Sequence, residues 1–256
     1  MRTIFFIPLF LLFLLGCEKK AVQQQEVTQT QIPETAASTE LIEEVEPKII
    51  IPTIIRNDTL APFIPIGYNI NEVTYGDLNK DELTDCIITI KKVDAANVIV
   101  NDYNWTVDRN RRGIIVLFKQ AEGYNLASKN YDCFSSENED GGVYFAPELW
   151  MESKNNNIRI HFSHGRYGYW TYTFRFNGFD FELIGYDASD NRGPVVNREV
   201  SINFLSKKKL VRVNINQQAE SGEEVFEEKW EEIQPAETIL LSEVVDFDVI
   251  DADQRE

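Results

Sequence analysis

One stretch restricts the fold of this chain more than any other: WTYTFRFNGFDFELIGY, from Trp170 to Tyr186. Trp170, Tyr172, Phe174 and Phe176 recur at every second position, with Thr171, Thr173 and Arg175 between them. A period of two places alternate side chains on opposite faces of an extended strand, so the four aromatic residues share one face. Asn177-Gly178 follows, and both residues tolerate the positive φ of a two-residue type I′ turn. Phe179, Phe181 and Leu183 then resume the apolar face. The spacing predicts a β-hairpin with Phe176 opposite Phe179, Phe174 opposite Phe181 and Tyr172 opposite Leu183.

Other segments repeat this logic. Ile158, Ile160 and Phe162 alternate with Arg159, His161 and Ser163. Val200, Ile202 and Phe204 lead into Ser206-Lys207-Lys208-Lys209, and Leu210 to Ile215 lead out. Cys86 to Ile90 and Ile114 to Phe118 are unbroken β-branched runs of the kind found in central strands. SGEEVFEEKWEEI carries two readings. Ser221 with Glu224 has the spacing of a capping box, and Phe226, Trp230 and Ile233 fall at i, i+4 and i+7, which suits a helix. The same letters suit an exposed edge strand. The chain is therefore expected to be mainly β, an antiparallel meander forming a sandwich or an incomplete propeller-like arc, and no long internal repeat marks a propeller.

The amino terminus has a different grammar. Met1-Arg2 supplies positive charge, and Ile4 to Leu15 run without a charged residue, the length of a signal-peptide core and too short to span a bilayer. Leu14-Leu15-Gly16-Cys17 resembles the bacterial lipobox. That resemblance implies cleavage after Gly16 and lipidation of Cys17, hence attachment to a membrane of the bacterial cell envelope by acyl chains. Residues 18–48 are rich in Gln, Thr and Glu and contain no aromatic residue, a composition expected to remain a disordered tether. Residues 49–66 are apolar but interrupted by Pro52, Pro62 and Pro65, and read as an extended lead-in to one β-rich domain over 49–256. Loss of Arg2 with residues 1–16 moves the formal net charge from −17 to −18. Such a surface gives no electrostatic footprint for nucleic acid, and is compatible with cations or a basic partner.

One loop carries metal chemistry. In GDLNKDELTDCIITI, residues 76–90, Asp77, Asn79, Asp81 and Asp85 stand at relative positions 1, 3, 5 and 9, directly before a strand. Alternate oxygen-bearing side chains on a coiled loop converge on one point, and the carbonyl of Leu83 at position 7 adds a fifth donor, a set suited to calcium. Over about fifteen residues this resembles the DxNxDxxxD calcium loop of FG-GAP and VCBS repeats, and EF-hand and dockerin loops begin in the same way. Two positions depart from those patterns. Position 12 is Ile88 where an EF-hand has glutamate, and position 6 is Glu82 where glycine is usual, so Glu82 must carry positive φ. The alternative is an acidic turn whose Asp and Asn side chains cap their own backbone.

Cys86 and Cys133 remain once Cys17 is lipidated, either as one disulfide or as two buried thiols. His161 and His164, three apart on a strand, are expected to face opposite ways and not to share a metal. Ser135, Ser136 and Ser163 lack a nucleophile-elbow pattern. Tyr167, Tyr169 and Trp170, beside Gly165 and Gly168, suggest an aromatic surface for a sugar or a peptide. Lipobox, polar tether, acidic loop and aromatic hairpin together resemble a broad group of secreted bacterial β lipoproteins. The reading that follows is a non-enzymatic, lipid-anchored envelope protein whose calcium-braced β domain binds a protein or glycan partner. A hydrolase using acidic residues on a polysaccharide and an assembly accessory are the alternatives.

Overall fold

The computed structural model describes residues 59–136, 138, 146–234, 237–250 and 252. The signal-like segment, Cys17, the tether and residues 49–58 of the lead-in lie outside the described residues. The two β-branched runs become the centre of a four-stranded antiparallel sheet. Its strands are β1 (Tyr68–Gly76), β2 (Asp85–Lys92), β5 (Arg112–Lys119) and β6 (Tyr124–Phe134), in the order β1-β2-β5-β6. A separate hairpin, β3 (Val98–Val100) and β4 (Thr106–Asp108), is inserted between β2 and β5. Both faces of the central strands are buried. Ile87, Ile114 and Val116 pack into one apolar cluster, while Cys86, Ile88, Ile90, Ile115 and Leu117 pack into another. Leu60, Phe63 and Ile64, around a 3₁₀ turn at Ala61–Phe63, cover the second cluster. This end of the lead-in does pack along the domain, as a turn and not as an extended segment.

The remaining strands form one unbroken meander: β7 (Glu148–Lys154), β8 (Asn157–Ser163), β9 (Gly168–Phe176), β10 (Phe181–Arg192), β11 (Val195–Asn203), β12 (Lys208–Asn214) and β13 (Phe226–Glu232). Neighbours in sequence are neighbours in the sheet throughout. Alternation decides its inner face. Ile158, Ile160, Tyr172 and Phe174 join Ile114 and Val116 of the smaller sheet in one core. Phe118 meets Phe176 edge-on at 4.8 Å across the gap. The architecture is thus a sandwich of two open antiparallel sheets, the first of the two forms expected.

One local expectation needs correction, and two open alternatives are decided. SGEEVFEEKWEEI takes its strand reading, because β13 pairs with β12 through seven residues and places Trp230 opposite Leu210. Glu224 caps no helix and instead accepts the Gly222 and Val196 amides at 2.8 and 3.2 Å. The hairpin forms, but its loop has four residues, 177–180, and Phe176 pairs with Phe181. Asn177 Oδ1 accepts the Phe179 and Asp180 amides, both at 3.0 Å, and Asp180 turns inward to accept hydrogen bonds from Ser242. Phe179 swings out and is 84% exposed. A slip of two residues preserves face parity, so Phe181 and Leu183 remain on the core side. A bulge at Ile184 then changes parity, bringing Tyr186 opposite Tyr172.

The cysteines take the second of their two alternatives. Cys86 and Cys133 are both free, buried thiols. They lie on β2 and β6, which are not neighbours, and belong to different apolar clusters. Burial pushes the Cys86 thiol up to about 12, and raises Cys133 as well.

The space between the sheets is closed by a segment to which the sequence assigns no element. Leu241, Val244 and Phe247, on and between 3₁₀ turns at Leu241–Glu243 and Phe247–Val249, are buried in the shared core. Phe247 stacks on Phe134 at 4.8 Å and meets Tyr172 at 5.2 Å. Asn130 Nδ2 donates to the Leu241 and Val244 carbonyls at 3.0 and 2.7 Å, satisfying two acceptors of an otherwise irregular segment.

Candidate functional site

The acidic loop joins β1 to β2. Glu82 carries a φ of +65°, as its position requires, and Lys80 one of +68°. The side chains that the pattern singles out are engaged with the loop's own backbone. Asp77 accepts the Lys80 amide at 2.7 Å and the Glu82 amide at 3.3 Å. Asn79 Oδ1 accepts the Asp81 amide, Asp81 Oδ1 accepts the Leu83 amide, and Asn79 Nδ2 donates to Asp81 Oδ2. Asp85 differs from the others. It is fully buried, and its two oxygens accept the Leu78 and Lys119 amides at 2.8 Å each. Burial raises its carboxyl above the ordinary value against the effect of those amides, and the nearby charges of Asp81 and Asp77 raise it further. Asp85 therefore ties the loop to β5, while Asp77, Asn79 and Asp81 shape the loop's rim. Among the described residues no three His, Cys, Asp or Glu side chains group as a metal site. The donor set suggested by the sequence includes the Asn79 amide and the Leu83 carbonyl, which lie outside that description. Each accepting oxygen keeps a second lone pair, so self-capping does not exhaust its capacity to accept a cation.

The aromatic residues resolve into two places. Trp170 faces inward, its ring parallel to Phe162 at 5.1 Å with an interplanar angle of 8°, and the edge of His164 meets it at 5.5 Å. Around Trp170 the rim of the sandwich opens into a groove of two lobes. One, of about 470 Å³, is lined by Trp170, Tyr172, Tyr186, Phe247, His164 and Asp248. The other, of about 220 Å³, runs past Tyr167, Gly168, Tyr169, Asp190 and Arg198 and shares Trp170, Tyr186 and His164 with the first. The walls are packed and hydrogen-bonded from behind. Tyr172 packs on Tyr186 at 5.3 Å, and its hydroxyl donates to the Ile250 carbonyl at 3.1 Å. At Gly168 β9 begins so close to β10 that a Cβ would lie 1.9 Å from the Ser189 carbonyl oxygen. Only glycine fits there, and its φ of +120° turns the chain from Tyr167 toward Trp170.

Tyr167 and Trp170 thus line one groove. Tyr169, between them in sequence, borders the same lobe, while its ring lies near-parallel to His161 at 5.3 Å. The three residues that the sequence grouped thus meet at one lobe, with the rings of Tyr169 and Trp170 held by different neighbours, His161 and Phe162. The two histidines divide as expected, His161 on the outer face and His164 beside Trp170. Sequence reasoning missed Tyr186 and Phe247. Strict alternation from Leu183 assigns Tyr186 to the wrong face, and Gly185 next to Ile184 is the one signal of the bulge that reverses it.

No protein-family model, no curated protein and no solved structure matches this chain. The case for function therefore rests on these residues.

Proposed function

We propose that the chain is a non-enzymatic, lipid-anchored protein of the bacterial cell envelope that holds a protein or glycan partner in the groove beside Trp170. The observation that carries this reading is the groove itself. Trp170, Tyr172, Tyr186 and Phe247 wall its larger lobe, Trp170 stacked on Phe162, Phe247 on Phe134 and Tyr172 hydrogen-bonded to the Ile250 carbonyl, with Asp190, Arg198, Asp248 and His164 at the margins. Concave sites with apolar walls and a few fixed polar groups favour ligand burial over simple surface contact. A hydrolytic reading would draw on Asp190 and Asp248, which line different lobes.

Calcium in this reading braces the β1–β2 loop. Asp77, Asn79, Asp81 and the Leu83 carbonyl would supply its outer oxygens, and Asp85 would connect the ion to β5. A cation there offsets the charge that Asp77 and Asp81 impose on buried Asp85. Lipid on Cys17 would keep the domain at the membrane surface through the polar segment that follows.

The test is a photo-crosslinking amino acid in place of Tyr167, in the full chain, in cells. The reading predicts one dominant adduct that Trp170→Ala abolishes. An adduct at a Trp230 probe with none at Tyr167 contradicts it. Calcium should raise the melting temperature of the parent and not of an Asp77→Ala/Asp81→Ala variant. Cys17→Ser should release the protein from membranes.

A further inference from the structure

The β3–β4 hairpin belongs to neither large sheet and exposes apolar side chains that the groove does not use. Val98, Val100, Tyr103 and Trp105 are between 45% and 68% exposed. Val98 and Val100 share one face of the hairpin, while Ile99 and Val107 on the other are half-buried. Tyr103 and Trp105 crown the turn with ring centroids 5.8 Å apart. The turn satisfies its own backbone. The Asn101 amide donates to the Trp105 carbonyl and the Asn104 amide to the Asn101 carbonyl, each at 2.9 Å. Asn101 Oδ1 accepts the Tyr103 and Trp105 amides at 3.1 and 2.9 Å. From Ala95 to Val107 the one charged residue is Asp102. Charges gather instead at the base, where Lys91 pairs with Asp108 at 3.1 Å and Lys92 with Asp94 at 3.6 Å.

The hairpin also leaves the smaller sheet at the end where that sheet begins. Tyr68, the first residue of β1, pairs with Lys92, the last of β2, and the Val93 amide donates to the Gly67 carbonyl at 2.7 Å. Ile66 and Val93, both exposed, flank this junction. The chain that follows Cys17 thus enters its first strand at the end from which the hairpin departs.

We infer that this hairpin is a membrane-contact site: its tip enters the headgroup region of a zwitterionic phospholipid surface, with Val98, Val100, Tyr103 and Trp105 inserted and the charged base held in water. The inference rests on the lipid-anchored reading, which brings a bilayer to this end of the domain, since residues 18–58 span at most ~140 Å. Three features select a lipid surface. Tyrosine and tryptophan each join an apolar ring to one polar group, which suits them to the boundary between acyl chains and headgroups. A segment entering that boundary must carry its backbone hydrogen bonds with it, and this turn does so through Asn101 and Trp105. The tip offers a protein partner little to fix a register, because the Asn101 carboxamide oxygen is committed to the turn, whereas a fluid surface requires no register. Asp102 decides between lipids. Its carboxylate keeps insertion shallow, and both it and the acidic surplus of the chain are repelled by anionic headgroups.

The experiment places the full chain on phosphatidylcholine vesicles whose acyl chains carry bromine close to the headgroups, where it quenches any tryptophan that reaches them. The expected result is a blue shift and quenching at Trp105, read as the part of the signal that Trp105→Phe removes, with Trp150, Trp170 and Trp230 unaffected. Val98→Asp/Val100→Asp, at two exposed positions, should abolish the quenching while the melting temperature stays near that of the parent. Replacing part of the phosphatidylcholine with phosphatidylglycerol should weaken the quenching, most of all at low salt. Absence of quenching at Trp105, equal quenching of all four tryptophans, quenching that survives the double substitution, or quenching that phosphatidylglycerol strengthens would overturn the inference. So would a blue shift at Trp105 that grows with protein concentration without vesicles, since the hairpin would then be a contact between copies. A photo-crosslinker at Trp105 that captures a protein in cells, and no lipid, counts against it equally. The anchor is tested apart from the contact: a vesicle-bound chain with unquenched Trp105 removes the contact alone, and quenched Trp105 with unlipidated Cys17 in mass spectra removes the anchor alone.

Discussion

The two sheets of the sandwich make different use of the same residue types. In the four-stranded sheet, six successive residues of β2 and six of β5 are buried, because apolar side chains cover both faces. In the seven-stranded sheet, β8 alternates between buried and half-buried positions, and its outer face stays open to solvent. A sheet closed on both sides can serve only as a support. The larger sheet keeps one free face and, at the rim of its covered face, a groove. Every candidate contact surface of this domain except the acidic loop and the β3–β4 hairpin accordingly belongs to the larger sheet, and those two hang from the smaller one.

The contrast can be broken most forcefully at the core between the sheets. Phe247→Ala removes the ring that joins Phe134 to Tyr172 and is expected to cost about 3–5 kcal/mol, whereas Trp230→Ala on the open face should change stability by about 0.5 kcal/mol or less. Equal effects in denaturant titrations would mean that the outer face is not free. Next in size is Asp85→Ala, which strands the Leu78 and Lys119 amides and should cost about 2–4 kcal/mol with or without calcium. A loss seen only with calcium present would make Asp85 a ligand first and a backbone cap second.

Smaller effects sharpen the comparison. Glu82→Gly relieves a positive φ worth about 1 kcal/mol, partly offset by the freer unfolded chain, and should raise calcium affinity more than it raises stability. Calorimetry of the two chains with calcium measures both. The smallest effect concerns His161, which faces Trp150, Tyr169 and Thr171 and feels Arg159 and Glu152. Burial, then Arg159, holds its pKa below the ordinary histidine value. The folded state thus binds fewer protons than the unfolded chain, so this contribution is fully present above about pH 6.5 and is lost as pH falls through the folded pKa. His161→Gln should flatten a fall of a few degrees in melting temperature between pH 7 and pH 5.

How much of this was legible in the sequence depends on how far apart the interacting residues are. Cys86 to Ile90, Ile114 to Phe118 and the hairpin at Asn177-Gly178 declare themselves through local period and turn chemistry, and each is a strand or turn in the fold. The loop register was not legible, because Asp180 is drawn inward by Ser242, sixty-two residues away. The filler at Leu241–Phe247 has no period to detect, since an irregular segment between two sheets answers to the shape of the gap. Tyr167, Tyr169 and Trp170 were found by composition and meet at one lobe, but which neighbours hold each ring depends on strands far away in sequence. The positive φ of Glu82 followed from its place in the acidic loop, a constraint internal to a few residues.

The proposal that a partner occupies the groove around Trp170 can be tested with the tryptophans themselves. The four tryptophans, Trp105, Trp150, Trp170 and Trp230, sample the β3–β4 hairpin, the outer face of the larger sheet, the groove and the edge strand β13, so 5-fluorotryptophan labelling gives one ¹⁹F resonance for each. The spectrum of the full chain would be followed during addition of whichever partner the Tyr167 crosslinking probe recovers. The account predicts that the Trp170 resonance shifts or broadens first while Trp105 and Trp230 stay in place. A Trp170 resonance that does not move while another responds at saturation would contradict it.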